Sequence, residues 1–462
     1  MPLDEIENLG ERLDRFWQRF SQKTRTKTRD TSRYGLEYLS GLLRLETQRT
    51  MAQLGRIANI AEQNMHHFMS NSPWSGAGLI HTVQDQINQC SEFQQGSVLI
   101  LDESADDKAG LHAVGASRQY NGRRGKVDLC QVGVFVSLAN QGLNCWVDGE
   151  IFIPEVWFSE AYADQRQQAG IPPERTFQTK PQLGWQMIQR VRARGLPFEA
   201  VAFDTLYGQN PWLRDQIAGA GLEYYADVPA SLRVYLERPV IGWPEPKRGR
   251  KAKQQRVLSP RAYRVEQIAR LDDTTWQTIT LRAHERGQLV ADFAARRVWT
   301  VRDDLTVVEE WLLIRREGSK HTYTLSNASL DTPLTRMAAR KSQRYFIERS
   351  NQDAKSEFGW DEFQATKLLA WEHQLALTIL AHWFITETRL DWARRFQRDP
   401  TLLAQYEVEV LPTLSVANVR ALLRAALPLP QLSPQQAADL VVKHLDNRVR
   451  SRKSRLKRLA SP

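Results

Sequence analysis

The sequence predicts a mixed α/β protein in which a core of strands is interrupted by a second, β-rich stretch and flanked by helical parts at both ends. Three observations predict it. Two short apolar runs, Ser97-Val-Leu-Ile-Leu-Asp102 and Phe198-Glu-Ala-Val-Ala-Phe-Asp204, have the length of fully buried strands, and each is closed by an aspartate. The runs Thr275-Trp-Gln-Thr-Ile-Thr-Leu281, Arg297-Val-Trp-Thr-Val-Arg302 and Val307-Val-Glu-Glu-Trp-Leu-Leu-Ile314 are rich in β-branched and aromatic residues at period two. Near the amino end Leu36, Leu39, Leu42, Leu43 and Leu45 recur close to helical spacing instead.

In chain order, residues 1–75 read as a helical domain. Ile57 to Met65 begins another short helix, and the cations Lys23, Arg25, Lys27 and Arg29 cluster ahead of the leucine-rich segment. This domain is a candidate DNA-end-binding module, with a helix-turn-helix as one form; the alternative is a plain helical packing domain. Residues 76–228 form the first part of the core. Strands are expected at 97–102, 130–139, 143–152 and 198–204, and helices around 156–168 and 181–194. Asn210-Pro211 suits a helix start. Between Asp204 and Glu348 lie 143 residues, too many for one loop of a compact domain, so 229–329 is read as a β-rich insertion domain. Residues 330–398 are the helical second part of the core, and 399–462 a helical carboxyl-terminal region ending in a basic tail.

The acidic residues carry the chemistry. A carboxylate that follows a buried strand projects from that strand's carboxyl end, where an open α/β sheet leaves a crevice for ligands. Asp102 and Asp204 both have this placement. The third acid, Glu348, lies in a helical stretch in which residues advance about 100° each, so Arg344, Glu348 and Lys355 share one face. Phe346, Ala354 and Phe358 supply the apolar side. Hard oxygen ligands suit Mg²⁺, and a two-ion clamp on attacking and leaving oxygens needs no nucleophilic side chain. Asp102, Asp204 and Glu348 are therefore the candidate catalytic and metal-ligating set, with Glu103, Asp106, Asp107 and Glu357 as local rivals.

These motifs resemble bacterial insertion-sequence transposases of the DDE class, in the branch whose acidic helix reads Tyr-x2-Arg-x3-Glu-x6-Lys. Arg344, Glu348 and Lys355 match, while the tyrosine position is Lys341. Asp102-Glu-Ser-Ala-Asp-Asp-Lys-Ala-Gly110, Val114-Gly-Ala-Ser-Arg-Gln-Tyr120 and Gly125-Lys-Val-Asp-Leu-Cys-Gln131 are similar to the first-aspartate region, and Asp204-Thr-Leu-Tyr-Gly208 to the second. The resemblance covers roughly residues 35–395. It implies a ribonuclease-H-like core, two Mg²⁺ ions with Mn²⁺ as a substitute, and metal-dependent cleavage and strand transfer at the inverted-repeat ends of an element. It further implies double-stranded DNA as partner and a homodimer on that DNA. Arg344 and Lys355 are then phosphate contacts, and Arg118, Tyr120 and Lys126, beside Gln119, Arg123 and Arg124, are candidates for positioning the DNA end. Trp360 is a candidate for stacking on an extruded base, with helix packing as the alternative. Trp276, Trp299 and Trp311 of the insertion are either core or a second stacking surface.

Composition agrees. There are 63 Lys and Arg against 53 Asp and Glu, a net charge of +10, which favours an anionic partner. The basic tract Lys247, Arg248, Arg250, Lys251 and Lys253 and the run from Arg448 to Arg458 are candidate phosphate contacts. Three cysteines show no zinc spacing, and no phosphate-binding loop supports ATP hydrolysis. No secretion signal is recognisable, and Glu372, His373, Gln374 and His382 break the most apolar segment, so a cytoplasmic protein is expected. Two other classes remain: a non-catalytic DNA-binding descendant of such an enzyme, and a two-carboxylate glycosidase, which generally needs no metal.

Overall fold

The computed structural model describes residues 2–245, 253–284, 287–364, 366–429 and 433–459. Ten strands form one mixed sheet. They are β1 (Val98–Asp107), β2 (Ser117–Asn121), β3 (Lys126–Asn140), β4 (Leu143–Phe152), β5 (Ala200–Phe203), β6 (Glu223–Val228), β7 (Gln277–His284), β8 (Gly287–Val301), β9 (Val307–Glu317) and β10 (Lys320–Ser326). At the centre β3 pairs antiparallel with both β4 and β1, while β1, β5 and β6 run parallel. Three strands meander and two return by helical crossovers, the ribonuclease-H-like order. β2 pairs with the first residues of β3, alongside β4 on the same edge.

The insertion strands do not stand apart. β10 pairs antiparallel with β6 through Tyr323↔Val228 to Ser326↔Tyr225, so β7 to β10 extend the core sheet. An otherwise open edge at β6 is thereby covered. A buried ion cluster pins the junction: Glu310 of β9 meets Arg214 of α5 (Pro211–Gly219) at 3.2 Å and Arg302 at 3.4 Å, and accepts from the Tyr224 hydroxyl at 2.5 Å.

Side chains alternate between the two faces of β1. Leu99 and Leu101 join the larger core with Leu183, Met187 and Ile188 of α4 (Lys180–Ala193). Val98 and Ile100, with Ala200 and Ala202 of β5, face Phe346 and Ile347 of the helix bearing Glu348. The long helix α8 (Leu368–Phe396) is buried on nearly all sides, as expected of a helix that is apolar all round. It gathers the amino-terminal helices Leu9–Gln18 and Ser32–Arg44 into the same core. Polar bonds fix the contact: the Tyr38 hydroxyl donates to Gln374 at 2.6 Å and Arg12 to Asp391 at 2.7 Å. The amino-terminal part is thus a layer of the main body. No helix among the described residues is long and apolar enough to cross a membrane.

Several elements differ from expectation. β1 runs on to Asp107, because its pairing with β3 continues past the apolar run. β2 is short and polar and carries no apolar alternation. Residues 156–168 form two 3-10 turns, Glu155–Phe158 and Glu160–Tyr162, before a helix at Ala163–Ala169, with extended backbone at Ser159 between the turns. The stretch from Ile57 to Met65 is split at Asn59, whose φ is 51°.

Candidate metal and nucleic-acid site

Asp102 sits in the middle of β1, a correction to its expected place at the strand end, yet it reaches the same crevice. Leu101 is level with Phe203 in the parallel register, so the next residues, Asp102 and Asp204, are level as well. Parity puts both on the face covered by the helix α7 (Tyr345–Ser356). Asp204 follows β5 directly and caps a short helix, accepting from the backbone N–H of Leu206 at 3.0 Å and of Tyr207 at 3.4 Å. Gly208 ends that turn because nothing larger fits: a Cβ there would lie 1.9 Å from the Asp227 carbonyl oxygen. Gly208→Ala is expected to cost about 3 kcal/mol, read as a lowered urea midpoint; an unchanged midpoint would show that β6 yields freely.

Asp102 accepts one backbone hydrogen bond, from Glu103 N–H at 2.8 Å, and no ion pair reaches it among the described residues. Burial, and then the neighbouring charge of Asp204, push its pKa up to about 8. Burial, followed by the charge of Glu103, also raises that of Asp204. Two hard-oxygen groups without a direct ion-pair partner among the described residues fit a divalent cation.

Glu348 is not with them. Its side chain is 53% exposed and pairs with Arg344 one turn earlier, at 2.8 Å, and among the described residues no three acidic, His or Cys groups are close enough to hold a metal. The expected cluster of all three carboxylates is therefore not formed among the described residues. Three anions in one crevice would repel one another, and the exposed Glu348 is neutralised by Arg344 instead. Arg344 also meets Asp227 of β6 at 3.0 Å. Lys341, at the tyrosine position of the motif, is buried and reaches the other oxygen of Asp227 at 3.3 Å. Burial lowers the lysine's pKa against the pull of that carboxylate.

The remaining candidates separate clearly. Lys355 is committed to Asp106, at 3.0 Å, and to the Ala105 carbonyl, at 2.6 Å, so it ties α7 to β1. Glu103 points to the opposite sheet face, where Lys180 donates to it at 2.7 Å and the Tyr207 hydroxyl at 3.0 Å. Glu357 is held by Arg420 at 2.5 Å and Asp107 by Arg124 at 2.7 Å. Asp227 was missed because nothing local in its sequence marks it; its cationic partners, Lys341 and Arg344, lie more than a hundred residues on.

Arg118, Tyr120 and Lys126 lie on the β2–β3 hairpin. Tyr120 and Val127 face each other across it, 57% and 56% exposed. Arg124 and Lys126 share Asp128, and Arg123 meets Asp361. Of its two readings Trp360 takes the packing one: it is 3% exposed, edge-on to Phe135, Trp146 and Trp371 at 5.5 Å each, and serves the core rather than a base. Trp276 and Trp311 are half-buried beneath Arg316 and Arg297. Lys253 is exposed, whereas Lys247, Arg248, Arg250 and Lys251 lie outside the described residues.

Two comparisons bear on this geometry. The family described as DDE superfamily endonuclease matches residues 15–288, which takes in both aspartates and stops short of Glu348. The "Probable transposase for insertion sequence element IS701" of Microchaete diplosiphon is 29% identical over 164 residues, 35% of this chain, and the match spans only 40% of that protein. With more than half of its length matched to the family, the chain belongs to the DDE superfamily of endonucleases.

Proposed function

We propose that the protein is a DNA transposase of an insertion sequence, which binds the inverted-repeat ends of its element and catalyses metal-dependent phosphodiester hydrolysis and strand transfer. The observation that carries this reading is the level pair Asp102 and Asp204, two carboxylates without a direct ion pair among the described residues, under the helix that bears Glu348. In the proposed site Asp102 and Asp204 hold Mg²⁺, as two ions with Mn²⁺ as substitute, and Glu348 joins them once it leaves Arg344. Bound there, the cations supply Lewis acidity and neutralise charge at the phosphodiester.

The chain's own residues do the rest. Arg344, released by Glu348, offers a forked donor to a phosphate. Lys355 holds the helix to β1 through Asp106. The β2–β3 hairpin grips the duplex beyond the site, with Arg118 on phosphate and Tyr120 against a sugar or base, and the tracts 247–253 and 448–458 add phosphate contacts. Two ends must be brought together, so the protein works as a homodimer on DNA, in the cytoplasm at the nucleoid.

The test uses linear DNA carrying the element's ends. Cleavage at the ends with Mg²⁺ or Mn²⁺, and none in chelator, is expected. Specific binding without cleavage in either metal would favour the non-catalytic binder instead. A finer check is the salt dependence of end binding. Arg118→Ala should lower the slope of log affinity against log salt by about 0.9, the value for one phosphate contact, and an unchanged slope would remove Arg118 from the interface.

A further inference from the structure

We infer that Asp227 is a positioning residue of this site, holding the Arg344 guanidinium off Asp102 and Asp204 so that those two carboxylates stay open to a divalent cation. The inference rests on the metal-site reading above and adds a residue to it.

Asp227 is the meeting point of two cations. Its Oδ2 takes Arg344 Nε at 3.0 Å, and its Oδ1 takes Lys341 Nζ at 3.3 Å and the Thr324 hydroxyl at 2.5 Å. The Thr322 hydroxyl accepts from the same lysine at 3.2 Å. These bonds fasten the start of α7, four residues before Glu348, to β6 and β10. Arg344 also acts electrostatically on both Asp102 and Asp204. The other ion-pair partner of that guanidinium among the described residues is Glu348, at 2.8 Å, which the proposed site takes away as a metal ligand. Freed from Asp227, it would fall onto the two aspartates and compete with a metal ion for the same oxygens. Residues beyond the ligands typically alter metal affinity 10- to 100-fold, and a fixed positive charge moved onto the ligands belongs in that range.

The experiment is calorimetric titration of the full chain with Mn²⁺ alone, so that metal binding is read without cleavage. Asp102→Asn is the control: if it leaves the titration unchanged, the metal-site reading fails and this inference with it. Arg344→Gln removes the competitor and frees Glu348, so its affinity should equal or exceed that of the parent; weaker binding would overturn the inference. Because Asp227→Asn strands a buried lysine, it is made together with Lys341→Met. That pair should bind Mn²⁺ at least about tenfold more weakly than Lys341→Met alone, and adding Arg344→Gln should restore the affinity. Equal affinity of the pair and Lys341→Met, or no recovery in the triple variant, would also overturn it. A purely structural role for Asp227 predicts no such recovery.

Discussion

Asp102→Asn is expected to abolish end cleavage while making the metal-free protein more stable at pH 8. The loss follows from the proposed role: removing a ligand forfeits several kcal/mol of charge stabilisation, which at about 1.4 kcal/mol per factor of ten is about a thousandfold or more. The stability gain follows from the aspartate's surroundings. Burial and Asp204 lift the pKa of Asp102 to about 8, well above its unfolded value near 4. A group whose folded pKa is raised contributes its full stability below the unfolded pKa and loses it as pH climbs to the folded one. Between about pH 4 and pH 8 the folded state therefore pays an increasing penalty for the charge, and asparagine carries none. The gap between the two pKa values sets an upper bound near 6 kcal/mol. Since Asp102 is only half-buried, about 2 kcal/mol is the expected gain. Urea unfolding in chelator should show the variant ahead at pH 8 and level with the parent at pH 4. Glu348→Gln should lose cleavage equally but gain no stability, because that carboxylate is exposed and already paired with Arg344. A variant of Asp102 that cleaves normally, or that is destabilised in chelator at pH 8, would remove it from the site.

The contrast between these acids marks what the sequence can reveal. β4 and α4 were legible almost to the residue, since a strand and a helix of ordinary length declare themselves by period and by turn residues at their ends. The aspartates were legible because each closes an apolar run, a local signal. What that signal misplaced was the end of β1: the polar stretch from Asp102 to Asp107 remains a strand only because β3 pairs with it, and pairing partners are not written locally. Trp360 shows the same limit. Its position after the acidic helix left base stacking and packing both open, and Phe135, Trp146 and Trp371, drawn from β3, β4 and α8, decide for packing by enclosing it.

The state of Glu348 is a different case. Motif spacing put Arg344 and Glu348 on one helical face, and the structure agrees, but spacing cannot say whether the two residues serve a third group or each other. That choice depends on the local charge balance, in which Asp227 and Lys341 take part from outside the motif. The insertion shows the same limit at larger scale. Its strands were visible at period two, while their continuity with β6 is a tertiary fact, sealed by Glu310, which the alternating pattern alone would leave facing water.

Glu310→Ala is accordingly expected to be among the most damaging substitutions outside the acidic site. Its carboxylate is fully buried and serves Arg214, Arg302, the Tyr224 hydroxyl and the Thr300 hydroxyl. Removing it leaves two buried guanidiniums short of a counter-charge; Arg302 keeps Asp215 at 2.7 Å, but Arg214 keeps no carboxylate. Breaking such a pair costs about 3–5 kcal/mol. The damage should reach the site, because Arg214 also donates to the Gly208 carbonyl, at the end of the turn that begins with Asp204. Glu310→Ala should therefore lower both the urea midpoint and end cleavage. Replacing Arg214, Glu310 and Arg302 together with apolar residues of similar size should recover much of the stability, since a buried ion cluster is often no more stabilising than a well-packed apolar one. Cleavage should not recover with it, for replacing Arg214 takes the donor from the Gly208 carbonyl. A loss below about 1 kcal/mol for Glu310→Ala, or full recovery of cleavage in the triple variant, would mean that the insertion and the Asp204 turn are not joined through this cluster.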